Sequence, residues 1–133
     1  MENTLNPVDA WHLSLENNDP KILYDVLDDS FEFFSPAVFK SKEKHMGFIY
    51  LMAASETFLG KDFKYKREIM NDDNAVLEFE CIINGVEVNG VDLFKWNKSN
   101  KFTEMKVMIR TEKALEAVKS EMSKHLMRPE IWR

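Results

Sequence analysis

The sequence predicts an α+β domain, with helices lying on one face of a sheet. Three observations carry this. From Phe63 onward the apolar pattern switches to a period of two. The pair Asn84–Gly85 stands between two alternating stretches and is a strong two-residue hairpin signal. Helical and strand segments fall in the order helix, helix, strand, helix, three or four antiparallel strands, helix, so the two kinds of element segregate.

Each element has a local reason. Asn6 and Pro7 read as an N-cap followed by a first-turn proline, and the helix they start places Val8, Trp11, His12 and Leu15 on one face. Asp19 and Pro20 repeat the signal before a short helix at 21–27. Residues 29–36 (DSFEFFSP) alternate and end at a proline, as a short strand does before a turn. Ser41 is placed to cap a longer helix over 42–59, whose broad apolar face suits packing on a sheet, and Gly60 is placed to stop it. Strands follow at 63–69, 75–83, 86–96 and 101–110, with NKSN (97–100) as a turn. Thr111 then caps a helix with Leu115, Val118, Met122 and Leu126 on one side. Residues 128–133 show no period and read as a tail, so one domain spans 1–133 with 6–127 as its ordered core.

Alternation also assigns faces. Val86, Val88, Gly90, Asp92, Phe94 and Trp96 share one side of their strand, which is apolar apart from Asp92. Ala75, Leu77, Phe79, Cys81 and Ile83 look inward with them, as do Met105, Val107 and Ile109. Phe63, Tyr65, Arg67 and Ile69 are expected to share a face. The outer face carries mixed charge around Val91, Leu93 and Met108, which reads either as a subunit contact or as a solvated face with scattered apolar residues.

Bulk properties narrow the function. The chain has 133 residues, 44% of them hydrophobic, with 23 acids against 18 bases and a net charge of −5. That length suits one domain with a real core. The acidic balance and the lack of a basic stripe argue against nucleic acid as partner. No apolar run approaches the ~20 residues that span a bilayer, so no membrane association is expected. The N-terminal stretch lacks a basic and then apolar leader pattern, and Cys81 is the sole cysteine; a reduced, cytoplasmic setting is the simplest expectation. Three separated histidines lack metal spacing, and there is no glycine-rich phosphate loop or nucleophile elbow. No metal and no cofactor are expected.

The element order, with the blocks AVLEFE (75–80), NGVDLF (89–94) and KVMIR (106–110), resembles the SnoaL-like polyketide-cyclase branch of the nuclear transport factor 2-like superfamily over nearly the whole chain. The resemblance implies a cone: a curved antiparallel sheet wrapped around helices, with a mostly apolar pocket for a small apolar molecule. It also implies a homodimer through the outer sheet face, at Val91, Leu93 and Met108. Relatives include polyketide cyclases, ketosteroid isomerase, a dehydratase, an epoxide hydrolase and non-catalytic binders, so the fold leaves the reaction open. Asp92 matches the position of the steroid isomerase's oxyanion-hole acid, which stays protonated and donates a hydrogen bond. Ser35, before Pro36, stands where that enzyme has its base aspartate, and Trp11 falls near its tyrosine donor. Serine cannot replace a carboxylate base near neutral pH, and indole N–H donates without transferring a proton in the same way. Two of three parts differ, which speaks against steroid isomerase activity.

The candidate catalytic residues are therefore Asp92 and His12. Asp92 is either a pocket acid, base or oxyanion donor, or a fold-holding group paired with Arg67 or His12. His12 either assists Asp92 or is a satisfied core residue. Ligand-binding candidates are Trp11, Ser35, Tyr50, Tyr65, Phe79 and Phe94; Ser35 has a local turn bond as its competing role, Tyr50 and Tyr65 have snorkelling toward solvent, and the inward phenylalanines have core packing. His45 is expected at the surface, His125 at a helix C-terminus, and Cys81 in the core. The readings that remain are a cofactor-independent isomerase-, cyclase- or lyase-type enzyme for an apolar carbonyl compound, a binding module with the same pocket, and a dimeric interaction domain with a filled cone. A cavity under ~300 Å³ would not hold a drug-sized ligand.

Overall fold

A computed structural model describes residues 6–58 and 60–126. In chain order the elements are α1 (Pro7–Glu16), α2 (Pro20–Val26), β1 (Leu27–Phe34), α3 (Lys44–Phe58), β2 (Lys64–Met70), β3 (Asn74–Ile83), β4 (Val86–Trp96), β5 (Phe102–Arg110) and α4 (Glu112–Leu126). The expected tail at 128–133 lies outside the described residues, as do residues 59 and 127.

Local chemistry explains the boundaries. The Asn6 side chain accepts from the Val8 N–H at 2.8 Å, and Asp19 accepts from the Lys21 and Ile22 N–H groups. Each therefore satisfies helix-start donors ahead of a proline that has none to offer. Asn84 and Gly85 take φ of +52° and +78°, the backbone that a two-residue hairpin between β3 and β4 requires. One cap differs from expectation. The Ser41 hydroxyl is spent on Glu32, and it is the Glu43 carboxylate that accepts from the His45 and Met46 N–H groups at the start of α3. A carboxylate on the first turn also complements the helix dipole.

The five strands form one open sheet in the order β1-β5-β4-β3-β2. β2 through β5 are antiparallel neighbours, but β1 pairs with β5 in parallel. The sheet is thus mixed rather than antiparallel throughout. Alternation marks a strand without marking its direction. β1 pairs only with β5, the last of the four later strands, along its free edge.

β2 carries the second departure. Tyr65 stands opposite Phe79, but Arg67 stands opposite Glu78 and Glu68 opposite Leu77, so Lys66 is an extra residue in a bulge. Beyond it the faces of β2 are exchanged. Arg67 turns outward to pair with Glu78 at 3.2 Å, and Glu68 turns inward. The expected common face of Tyr65, Arg67 and Ile69 does not form.

β3 and β4 follow their alternation, and β5 does so from Met105 on; a register shift between Lys95 and Trp96 puts Phe102 on the inner face as well, three residues before Met105. Leu77, Phe79, Cys81, Ile83, Val88, Phe94, Trp96, Phe102 and Met105 are all buried between the sheet and the helices. On α1 the buried positions are Pro7, Val8, Trp11 and Ser14, while His12 is half-buried. The Ser14 hydroxyl donates to the Trp11 carbonyl at 2.7 Å, which lets a serine take an inner position. Among the described residues no helix is long and apolar enough to cross a membrane.

Candidate functional site

Asp92 sits at the middle of β4, between Leu77 of β3 and Val107 of β5, both buried. Its side chain is itself 5% exposed. A carboxylate taken from water into such a setting loses hydration, and this burial pushes the Asp92 pKa up to about 7, opposed in part by a hydrogen bond from Tyr65. The acid is therefore divided between its neutral and charged forms near neutral pH.

That hydrogen bond belongs to a chain. The indole Nε1–H of Trp11 donates to the Tyr65 hydroxyl at 2.9 Å, and the Tyr65 hydroxyl donates to Asp92 Oδ2 at 2.8 Å. α1 supplies the first group, β2 the second and β4 the third. Tyr65 reaches across β3, where Phe79 lies between it and Gly90 in register. Burial first, and then the charge of Asp92, push the Tyr65 phenol well above its ordinary value, so it stays a donor. Oδ2 is occupied, while among the described residues Oδ1 has no hydrogen-bond partner.

Trp11, Tyr65, Phe79 and Asp92 line a cavity of about 60 Å³, together with Leu51 and Met105 among others. One water needs ~10–15 Å³ on this scale, so the space takes a few atoms rather than a whole drug-sized molecule. The cone is largely filled by its own side chains at this end. A second cavity of about 260 Å³ lies between α3, α4 and the segment after β1, and it shares Phe33, Ala54, Phe58 and Val107 with the first.

The candidates from sequence separate accordingly. Trp11, Tyr65, Phe79 and Asp92 come together at the first cavity. Ser35 and Tyr50 line the second instead. The Ser35 hydroxyl accepts from the Ala37 and Val38 N–H groups at 3.0 and 3.2 Å, the local turn bond that competed with a ligand role. Phe94 lines neither; it stacks on Phe102 at 4.6 Å and meets Trp11 edge-on at 5.1 Å. His12 is not joined to Asp92. Its Nε2 is 3.1 Å from Glu68 Oε1, and its ring meets Tyr65 edge-on at 5.4 Å. Arg67 is likewise on Glu78. The pairing of Asp92 with Arg67 or His12 is replaced by the bond from Tyr65. Cys81 is buried and its thiol is pushed to about 11 by that burial, which makes it unreactive. Among the described residues no cluster of three His, Cys, Asp or Glu groups is arranged to hold a metal.

The link between Tyr65 and Asp92 was missed in the sequence. Both were expected inside, but they stand two strands apart, and sequence separation carries no signal for a diagonal contact across β3.

An open mixed sheet with helices on its inner face is the α+β cone fold of the nuclear transport factor 2-like, or cystatin-like, kind. Solved structures share this fold. A steroid delta-isomerase from Pseudomonas aeruginosa is 24% identical, with a TM-score of 0.85 and 93% of each chain covered. An uncharacterised protein with a cystatin-like fold from Silicibacter pomeroyi is 20% identical, at TM-score 0.82, over 91% of this chain and 85% of that one. A protein described as a SnoaL-like polyketide cyclase, from Jannaschia sp. CCS1, is 11% identical, at TM-score 0.65, over 90% and 98%. No family model matches the chain, and no curated protein matches it.

Proposed function

We propose that the chain is a small-molecule pocket protein that takes the oxygen of an apolar carbonyl compound at Asp92, and that it turns such a compound over in an isomerase-, cyclase- or lyase-type reaction without a cofactor. The observation that carries this is the Trp11–Tyr65–Asp92 chain, which ends on a buried carboxyl with a pKa of about 7 at the wall of an apolar cavity. Neutral Asp92 donates from Oδ1 to the ligand oxygen and stabilises charge as it develops there. Ionised Asp92 takes a proton from carbon. Tyr65 holds the carboxyl in place and stabilises its charged form. The likeness to structures described as a steroid isomerase and a polyketide cyclase is compatible with this.

The test is exchange of α-hydrogens of a small apolar ketone such as cyclohexenone with D₂O, followed by NMR. The parent protein is expected to accelerate exchange, and Asp92→Asn to reduce it about 100-fold or more. Equal exchange in both proteins removes Asp92 from the reaction. Ketone binding with no exchange leaves a binding module, the reading favoured by the position of Ser35 on local turn bonds and of His12 on Glu68. Absence of ketone binding returns the chain to a filled-cone interaction domain, which the 60 Å³ cavity supports.

We also propose a homodimer through the outer sheet face. In register, Ile69, Val76 and Leu93 form an apolar row across β2, β3 and β4, and Val91 faces Met108 beside it. Ile69 and Met108 are 58% and 52% exposed in the single chain. Covering such a patch is favourable by roughly 25 cal/mol per Å² of apolar surface. Light scattering at micromolar concentration is expected to give twice the chain mass; a monomer there ends the proposal.

A further inference from the structure

The apolar stripe of α4 is only partly used by the core. Ala114 and Val118 are buried, while Leu115, Met122 and Leu126 remain half-buried. They overhang the cavity of about 260 Å³ between α3 and α4. Its depth is walled by carbon, from Phe33, Ala54 and Val107. Among the described residues its rim carries positive charge. Lys119 and Ser123, one turn apart on α4 and both exposed, stand there, and among the described residues Lys119 is the one charged side chain lining the cavity. A second ammonium, Lys42 Nζ, lies 5.6 Å from the centre of the Tyr50 ring, which forms part of the wall.

An apolar space with a cationic rim fits a molecule with an apolar body and an anionic end. We propose that the cleft between α3 and α4 binds an amphipathic monocarboxylate of the medium-chain fatty acid kind. The chain lies between the two helices, and the carboxylate meets the Lys119 ammonium, with the Ser123 hydroxyl as a second donor. The apolar body supplies most of the affinity, and the ion pair at the rim sets orientation and preference for the acid. The site makes no use of Asp92.

The proposal is tested by titrating octanoate and 1-octanol into the full chain by calorimetry at low salt. Octanoate is expected to bind more tightly than 1-octanol, and Lys119→Glu to weaken octanoate about threefold or more while leaving 1-octanol unchanged. Added salt is expected to erode the difference. Met122→Trp, which fills the cleft, is expected to abolish binding of both, and Asp92→Asn to leave both as in the parent. An equal response of acid and alcohol to Lys119→Glu overturns the proposal, and because Lys119 is exposed that variant reads out even where Met122→Trp fails to fold. Loss of binding in Asp92→Asn with retention in Met122→Trp overturns it in favour of the first cavity. Binding that increases on dilution overturns it in favour of a second chain as the occupant.

Discussion

The stability difference between Asp92→Asn and the parent is expected to shift in favour of the variant by about 2–3 kcal/mol between pH 5 and pH 8. The Asp92 pKa is raised to about 7 in the folded chain, against ~3.9 for an unfolded aspartate. Between these values the folded state holds a proton that the unfolded state has released. Stability therefore falls as pH rises through that window, by about 1.4 kcal/mol per pH unit, and levels off above the folded value. Asparagine has no proton to lose and removes this component, while its carbonyl oxygen still accepts from Tyr65. Other titrating groups contribute to both proteins and cancel in the difference. Urea denaturation at the two pH values measures it. A difference that does not change with pH means Asp92 is charged throughout, and with it the assignment of a neutral donor is lost.

Gly90→Ala is expected to cost about 2–4 kcal/mol, far more than glycine-to-alanine changes usually do. A Cβ at residue 90 would lie 2.6 Å from Phe79 Cζ and 2.7 Å from the carbonyl oxygen of Met108. The ring could turn aside, but the carbonyl belongs to β5, which is hydrogen-bonded to β4 at this level. Relief by moving the backbone disturbs the sheet, and relief by moving Phe79 disturbs a wall of the Asp92 cavity. Gly85→Ala offers the contrast. It has a positive φ of +78° but nothing within 4 Å, so only backbone strain of about 1–2 kcal/mol is expected. Denaturation midpoints of the two variants separate the effects; a loss under 1 kcal/mol for Gly90→Ala would mean that the crowding around Phe79 is not real.

The parts of this fold that were legible in the sequence are those where apolar and polar residues contrast. β3 and β4 alternate cleanly, as does β5 from Met105 on, and Asn84–Gly85 sets the register of the first two, so the inward positions from Ala75 to Val107 follow, Phe102 excepted. The second half of β2 offers no such contrast. Lys64, Lys66, Arg67 and Glu68 are charged on both sides, so an inserted residue leaves no mark on the pattern. The direction of β1 depends on an edge made by later chain. On α1 the histidine drew attention for its chemistry, but Ser14 takes the buried place because its hydroxyl finds a carbonyl within the same helix. At the site, Asp92 itself was visible as the acid on an apolar face. Its partner was not, since the Tyr65 contact crosses a strand and depends on the reach of a phenol.

The extra residue at Lys66 decides the sign of the charge that β2 turns toward the cone. In a strand of regular parity, the residue opposite Leu77 would be Arg67, in the same cross-strand row as Asp92. A guanidinium there would hold the carboxyl ionised at every ordinary pH, as an inert ion pair. With the parity shifted by one, Arg67 is spent on Glu78 outside and Glu68 occupies the row instead, itself engaged by His12. A single insertion, with no change in the chemistry of Asp92, thus separates an acid that can exchange a proton from one that cannot.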